Sequence, residues 1–208
     1  MARRVFLLSP ASCTGERARV LIRKEAAFPL AGRVRTPEGA PIGEVFSFLS
    51  GLYFRGKLAY AQAFAGAAGA LVITPDRGLV EPEEAVTIRD IRRFASVPVD
   101  AGERRYRGPF ERDARRLAAV LGPDDDVVLL GSIATAKYIG VLSPILGARL
   151  RFPADFAGRG DMSRGGLLLR CVRERRELAY VGLDGGARHG RRPPKLAPFP
   201  RTAGEGEA

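Results

Sequence analysis

Short runs of apolar residues recur along the chain and are separated by stretches of mixed apolar and polar residues. Three runs are rich in valine, leucine and isoleucine and end at a turn signal, which is typical of buried strands, and a fourth strand is predicted where Leu150 and Phe152 alternate with arginines. The four predicted strands are Val5–Leu8, Ala70–Thr74, Val127–Leu130 and Arg149–Phe152. Because helical patterns lie between them, we expect an α/β fold: a layered, mostly parallel sheet flanked by helices.

Six segments show helical periodicity or a helix start signal. Thr87 and Asp90 have the spacing of a capping box, and Gly131-Ser132 is predicted to turn directly into a helix. Residues 29–43 are predicted to form a loop, and Asp76–Glu84 an exposed acidic loop. The predicted helices are Glu16–Ile22, Glu44–Phe48, Tyr53–Phe64, Thr87–Phe94, about Pro109–Leu121 and Gly131 to about Leu146.

The last part of the chain has two interpretations. After a predicted loop at residues 153–166, Leu167–Val172 and Leu178–Leu183 form a hairpin, or Met162–Arg173 is a helix. Beyond Asp184 the chain is rich in glycine, proline and arginine, which predicts a flexible tail. We therefore expect a single α/β domain over residues 1–184 and a basic tail over residues 185–208.

Composition narrows the possible chemistry. The 208 residues, 46% of them apolar, suit one domain with a core of its own, and no run approaches 18 apolar residues. We expect a cytoplasmic protein without a leader or a membrane partner. Two cysteines without CxxC spacing and one histidine, His189 in the predicted tail, cannot build a zinc site or a Ser-His-Asp triad. No metal or cofactor is expected.

The charge of the chain is strongly positive. There are 34 lysines and arginines against 23 acidic residues, a net charge of +11. Such a balance favours an anionic partner, nucleic acid or a nucleotide. Arginine-rich composition from a GC-rich coding sequence is the alternative, since only four of the cations are lysine.

Three turns after predicted strands are rich in glycine, hydroxyl or arginine side chains. They are residues 9–17, 131–138 and 155–166, and none matches a P-loop. Backbone N–H groups, hydroxyls and guanidinium groups in such turns can bind phosphate. A helix cap, close packing of glycine and a solvated Arg–Asp loop are the structural alternatives. The candidate phosphate-binding residues are Ser12, Thr14, Arg17, Ser132, Arg159 and Arg164.

Two further segments mix chemistries. Tyr53 and Arg55 lie in a run of cations and aromatic rings that suits contact with a base, although an amphipathic helix accounts for the same pattern. Asp76 at a strand end and Asp161 in the glycine-rich loop are candidate acid–base residues, unless they close a turn or hold an arginine. Cys13, next to a predicted helix start, is a candidate for an activated thiol.

Several of these stretches resemble known families. Ser9–Ala11, Gly51–Leu58 and Thr74–Glu83 are similar to the SPAK, YxGxxYxGL and LSGLYGLLxPxD motifs of YaaA-type peroxide-stress proteins, and to a related uncharacterised bacterial family with FRKAxxYA and GLLxPD motifs. Here Ser12 replaces the lysine after SPA, Ile88-Arg89-Asp90 replaces the PYR-like signature, and the late lysine-rich motif is missing. Residues 127–134 are similar to the late strand of uracil-DNA-glycosylase-like folds, but Phe152–Asp155 occupies the place of their histidine loop.

The resulting expectation is an α/β protein that binds nucleic acid or a nucleotide at the strand-end edge of the sheet. The resemblance implies a role in DNA or RNA base processing or in stress response. The alternatives are an enzyme acting on a small phosphorylated or carboxylated metabolite, and a protein-interaction module with a basic docking tail. Whether the protein is an enzyme, and whether these loops meet in space, stays open at this level.

Overall fold

The computed structural model describes residues 3–66, 69–183 and 194. A six-stranded sheet has the order β4-β3-β1-β6-β7-β8, and β2 pairs with β5 in a separate two-stranded ribbon. The strands are β1 (Arg4–Leu8), β2 (Ala40–Pro41), β3 (Ala70–Ile73), β4 (Leu79–Val80), β5 (Ala85–Val86), β6 (Asp126–Leu130), β7 (Leu150–Pro153) and β8 (Tyr180–Gly182). The helices are α1 (Glu16–Ile22), α2 (Pro29–Arg33), α3 (Ile42–Ser50), α4 (Leu52–Phe64), α5 (Ile88–Ala95), α6 (Arg104–Val120), α7 (Ala136–Leu146) and α8 (Asp161–Glu174).

The strand β1 lies inside the sheet, between β3 and β6, and is parallel to both. Its residues alternate between two apolar clusters, as the two-residue period of a strand requires. Phe6 and Leu8 pack with α1, α3, α4 and α8, whereas Val5 and Leu7 pack with α6 and α7 on the other face. Because both faces are covered, every position after Arg4 must be apolar, which is why this run was recognisable in the sequence.

The four predicted strands are confirmed, and together they form the parallel part of the sheet. The two outer strands, β4 and β8, run antiparallel to β3 and β7. The fold is thus a single α/β domain with a mostly parallel sheet between two helical layers. The expected tail at residues 185–208, including His189, lies outside the described residues except for position 194.

Two predicted loops contain regular structure. The expected acidic loop Asp76–Glu84 includes β4, which pairs with β3 through Leu79 opposite Ile73. The expected loop at residues 29–43 includes α2, with Pro29 in its first turn, and β2. All three elements are too short to show a periodic pattern. In addition, β2 pairs with β5, which is distant in the sequence.

The starts of α6 and α7 differ most from the prediction, whereas α3 is longer by two residues at each end. Helix α6 begins at Arg104 rather than Pro109, because the carboxylate of Glu103 caps it by accepting from the Arg105 N–H at 3.0 Å. Helix α7 begins at Ala136, with Thr135 at the N-cap, so Gly131 and Ser132 lie in a separate turn after β6. The capping box of α5 is confirmed, and the Thr87 N–H donates to Asp90 Oδ2 at 2.8 Å.

The region with two interpretations adopts the helical one. Helix α8 covers Asp161–Glu174 and ends at Arg175, whose φ of 51° is left-handed. The chain then returns as β8, which pairs with β7 rather than with a neighbouring hairpin strand. Among the described residues, none of the helices combines the length and the apolar character that a membrane span requires.

Candidate functional site

A cleft of about 820 Å³ lies at the edge of the sheet where the parallel strands end. The turns after β1, β3 and β6 all border it, and the end of α5 and the first turns of α7 and α8 complete its wall. This volume is in the range of clefts that hold small ligands. Its hydroxyl-bearing side chains are Ser9, Ser12, Thr14, Ser50, Ser96 and Ser132, besides two tyrosines.

The position of the cleft follows from the topology of the sheet. The connection after β1 begins with α1 on one face of the sheet, and the connection after β6 is α7 on the opposite face. The loops after these two adjacent strands therefore diverge and leave a crevice between them. Doubly wound sheets bind their ligands at this kind of switch point.

Two glycines determine how closely α4 and α8 approach each other beside the cleft. A Cβ at Gly165 would lie 2.7 Å from the Leu52 carbonyl oxygen, and one at Gly56 would lie 2.7 Å from the Gly165 carbonyl oxygen. With no side chain at either position, the two helix backbones pack directly together. This contact brings Tyr53 of α4 to the same part of the cleft wall as Arg164 of α8.

The side chain of Lys57 on α4 lies directly behind the cleft wall. It is 1% exposed, and its Nζ donates to Ser9 Oγ at 2.8 Å and to the Ser9 carbonyl oxygen at 2.5 Å. The ammonium also lies 4.4 Å from the centre of the Tyr53 ring and 4.8 Å from that of Phe54. Ser9, the first residue after β1, lines the cleft and separates Lys57 from it.

Burial of Lys57 penalises its charged form and lowers its pKa to about 7. The negative charge of Asp161 opposes this shift, whereas the positive charges of Lys137 and Arg164 add to it. No carboxylate within the described part of the chain forms an ion pair with Lys57. Near neutral pH the amine therefore exchanges between its charged and neutral forms.

Ser9 is held tightly in place. Its N–H and its hydroxyl both donate hydrogen bonds to the Leu130 carbonyl oxygen at the end of β6, at 3.3 and 3.2 Å. A Cβ at Gly131 would lie 3.0 Å from the Ser9 Cβ, so the absence of a side chain there allows the two strand ends to approach. The hydroxyl of Ser9 is thus fixed between Lys57 and β6.

Two tyrosines, Tyr53 and Tyr138, add buried hydroxyls to the cleft wall. Burial raises the pKa of Tyr53 to about 12, against the charge of Arg164, and it also raises the pKa of Tyr138. Both phenols therefore keep their protons at neutral pH. The Tyr53 hydroxyl has no partner in good hydrogen-bond geometry among the described residues, and Arg164 is the cation that acts on it.

The charged side chains of the wall are predominantly positive. Lys137 lies with its Nζ 5.1 Å from the centre of the Tyr138 ring. Arg164 donates to the Phe156 carbonyl oxygen from Nε and Nη2, and its Nη1 lies 3.9 Å from Asp161 Oδ1. Asp161 is itself largely exposed, which leaves an excess of positive charge along the cleft.

Six of the predicted site residues line this one cleft, although they come from four separate segments. Ser12 and Thr14 bond to each other through their hydroxyls at 3.1 Å, and neither caps α1, whose N-cap is Gly15. The six residues are Ser12, Thr14, Tyr53, Ser132, Asp161 and Arg164.

The other four predicted site residues do not line the cleft. Arg17 donates to the Phe48 carbonyl oxygen at 3.1 Å, and Arg159 donates to the Asp155 carbonyl oxygen and to Ser163 Oγ. Asp76 forms an ion pair with Arg93 of α5, and Arg55 is exposed on α4. Two of these arginines are thus used within their own neighbourhoods.

Cys13 is not an activated thiol. It is buried in the turn after β1, and this burial, with the nearby charge of Asp76, raises its pKa to about 12. A low thiol pKa requires cationic or dipolar stabilisation of the thiolate, which this position lacks.

The structure adds Ser9, Lys57, Lys137 and Tyr138 to the candidate site. All four lie in segments that the sequence singles out, but none belongs to a sequence motif that marks it as a site residue. One signal for Lys57 was available: it lies between Tyr53 and Tyr60 on one stripe of α4, and all three are buried. A lysine on a buried stripe requires an explanation beyond solvation.

Comparisons of this chain with protein-family models, with characterised proteins and with solved structures found no match. The resemblance to YaaA-type proteins and to uracil-DNA-glycosylase-like folds therefore stays a prediction from short motifs.

Proposed function

We propose that the protein binds a nucleotide, free or as one unit of a nucleic acid, in the cleft at the ends of β1, β3 and β6. The observation that carries this proposal is the cleft itself: about 820 Å³ at the switch point of the sheet, with cations, hydroxyls and aromatic rings on one wall. A nucleotide combines an anionic group with a flat ring, and the wall offers complementary groups for both.

The phosphate would be bound by Lys137 and by the hydroxyls of the turn after β1. Lys137 is half-buried, and its ammonium contacts the ring of Tyr138 but no acceptor among the described residues, so its three donors are free for an anion. Ser12 and Thr14 supply neutral donors nearby. Arg164 adds positive charge, although two of its nitrogens are occupied by the Phe156 carbonyl group.

The base would lie against the aromatic part of the wall. Phe94, Tyr53 and Tyr138 all border the cleft. Stacking on such rings contributes about 1–3 kcal/mol per base and tolerates differences between bases. The resemblance noted above suggests DNA or RNA base processing or stress response as the setting in which such a nucleotide is bound.

The first test is a charge reversal at Lys137. If the ammonium binds phosphate, Lys137→Glu weakens binding of nucleoside 5′-monophosphates about 10-fold or more, because a charge-assisted hydrogen bond contributes about 1.5–3 kcal/mol. Titration calorimetry with each of the four monophosphates measures this change in Kd.

Arg116→Glu is the matched control, since it makes the same charge change on an exposed side chain of α6 outside the cleft. It should leave the Kd within about 2-fold at near-physiological salt, where exposed charges are screened. Equal losses for both variants, or no binding by the unaltered protein, would contradict the proposal. Stabilisation by phosphorylated or carboxylated metabolites without binding of any nucleotide would favour the metabolite enzyme instead.

A further inference from the structure

We propose that Ser9 and Lys57 form a nucleophile–base pair that transfers the acyl group of an ester, with Ser9 Oγ as the nucleophile and Lys57 Nζ as the base. This activity goes beyond ligand binding. It rests on the proposed function only for the nature of the substrate, an ester that also carries a phosphate or carboxylate group.

The order of the groups from solvent inwards is that of such a pair. Ser9 forms part of the cleft wall, and Lys57 lies behind it with Nζ 2.8 Å from Ser9 Oγ. A substrate in the cleft would meet the serine first, while the amine receives the proton from the protected side. Serine–lysine pairs are one of the arrangements that perform acyl transfer without histidine, and this chain has its only histidine at position 189, outside the described residues.

The surroundings of Lys57 favour a neutral amine. Burial penalises its charge, and Lys137 and Arg164 repel it. The faces of the Tyr53 and Phe54 rings, which attract a cation, and the negative charge of Asp161 act in the opposite direction. Asp161 is largely exposed on α8, so solvent weakens its influence. A lysine needed only as a structural donor would be more stable with a buried carboxylate partner, which the described chain does not provide.

The proposed step balances without a redox partner. In this step the Ser9 hydroxyl rotates from the Leu130 carbonyl oxygen towards Lys57, and the neutral Nζ accepts its proton as Oγ bonds to the carbonyl carbon of the ester. The bond to the leaving alcohol then breaks, and the alcohol takes the proton from Lys57. Water, deprotonated by Lys57, releases the acyl group as a carboxylic acid and restores the Ser9 hydroxyl.

Donors for the developing oxyanion lie in the same turn. The backbone N–H groups of Ala11, Ser12 and Cys13 donate to no other residue in the part of the chain that the structure describes. They belong to the turn that follows Ser9 and lines the cleft. Preorganised N–H groups of this kind stabilise the tetrahedral intermediate of acyl transfer.

The experiment uses the full chain and a fluorophosphonate probe, which labels an activated serine as its P–F bond breaks. We expect the probe on the peptide that contains Ser9, and no labelling of Ser9→Ala. The rate of labelling should rise with pH through about 7, because the pKa of Lys57 lies there and only the neutral amine accepts a proton. Hydrolysis of para-nitrophenyl acetate should follow the same pH profile.

Lys57→Met should lower the labelling rate at least about 100-fold and remove its pH dependence. Ser143→Ala, which alters a serine of α7 away from the cleft, should label normally. If Lys57→Met does not fold, the pH profile of the unaltered protein decides the matter. Labelling at another residue, a pH-independent rate, or no labelling between pH 6 and 9 would overturn the proposal. Since the probe carries no anionic group, these outcomes do not depend on nucleotide binding.

Discussion

Two tyrosine hydroxyls on α4 have opposite surroundings. The Tyr60 hydroxyl bonds to the Tyr180 hydroxyl at 2.6 Å and accepts the Leu178 N–H at 2.8 Å, which ties α4 to the end of the sheet. The Tyr53 hydroxyl is buried beside the cleft and has no partner in good hydrogen-bond geometry among the described residues. A buried donor without a partner reduces stability, so the Tyr53 hydroxyl lowers the free energy of unfolding.

Removing these two hydroxyls should therefore have different effects on the free energy of unfolding. We expect Tyr53→Phe to leave it unchanged or to raise it by up to about 1 kcal/mol, because no hydrogen bond is lost. Tyr60→Phe should lower it by about 1–2 kcal/mol, because the Leu178 N–H loses its acceptor. Urea denaturation of both variants checks this, and a larger loss for Tyr53→Phe would show that its hydroxyl has a structural partner.

At the scale of elements, the contact between α4 and α8 shapes the site. The Gly56 and Gly165 backbones approach closely, and this approach brings Tyr53 of α4 and Arg164 of α8 together in the cleft wall. The contact involves backbone atoms, which cannot move aside as a flexible side chain does. A methyl group at either glycine must therefore push the helices apart.

Gly165→Ala should lower the free energy of unfolding by about 1–3 kcal/mol, because overpacking forces backbone shifts. The added Cβ would lie 2.8 Å from the Tyr53 Cα as well as 2.7 Å from the Leu52 carbonyl oxygen. Gly32→Ala is the matched control at an exposed position of α2, where a Cβ meets nothing within 4 Å. It should raise stability by up to about 1 kcal/mol, since alanine is the better helix former. Equal effects of the two changes in denaturation would contradict this account of the helix contact.

At the scale of the whole molecule, much of the positive charge is paired locally. On α6, Glu111 pairs with both Arg107 and Arg115, and Asp113 pairs with Arg112. Because an ion pair cancels a cation against an anion, such pairs leave the net charge of +11 unchanged as an excess of cations over the whole chain. Residues 185–208 contribute five of the cations and two of the anions in the sequence.

This distribution of charge predicts that residues 1–184 and the predicted tail contribute differently to the binding of nucleotides and of DNA. Residues 1–184 should keep the nucleotide affinity of the full chain, because the cleft lies within them. Their affinity for duplex DNA should be lower and less dependent on salt, since each phosphate contact contributes about 0.9 to the log–log slope. Fluorescence anisotropy with single- and double-stranded DNA at low and near-physiological salt measures both. Loss of mononucleotide binding on truncation would place the site in the tail.

The pattern of apolar and polar residues along the chain by itself determined the layered architecture. The strands β1, β3 and β6 contain continuous apolar runs such as Val5–Leu8, as burial between two helical layers requires. The parallel strand nearer the edge, β7, carries Arg151 within its apolar residues. Helix α1 and the capping box of α5 likewise depend on neighbouring residues, and local sequence predicted both. The strand β4 has only two residues, and the early start of α6 depends on one cap, so the pattern missed both.

Only the tertiary structure brings the residues of the site together. Ser9, Lys57, Tyr138 and Arg164 lie far apart in the sequence, and they meet because the sheet reverses its winding between β1 and β6 and because α4 packs closely on α8. The same packing excluded Arg17 and Arg159, whose guanidinium groups bond to nearby carbonyl oxygens instead. Residue types could indicate phosphate or base chemistry, but burial and distance alone made a lysine the neighbour of a serine hydroxyl, and these arise only once the chain is folded.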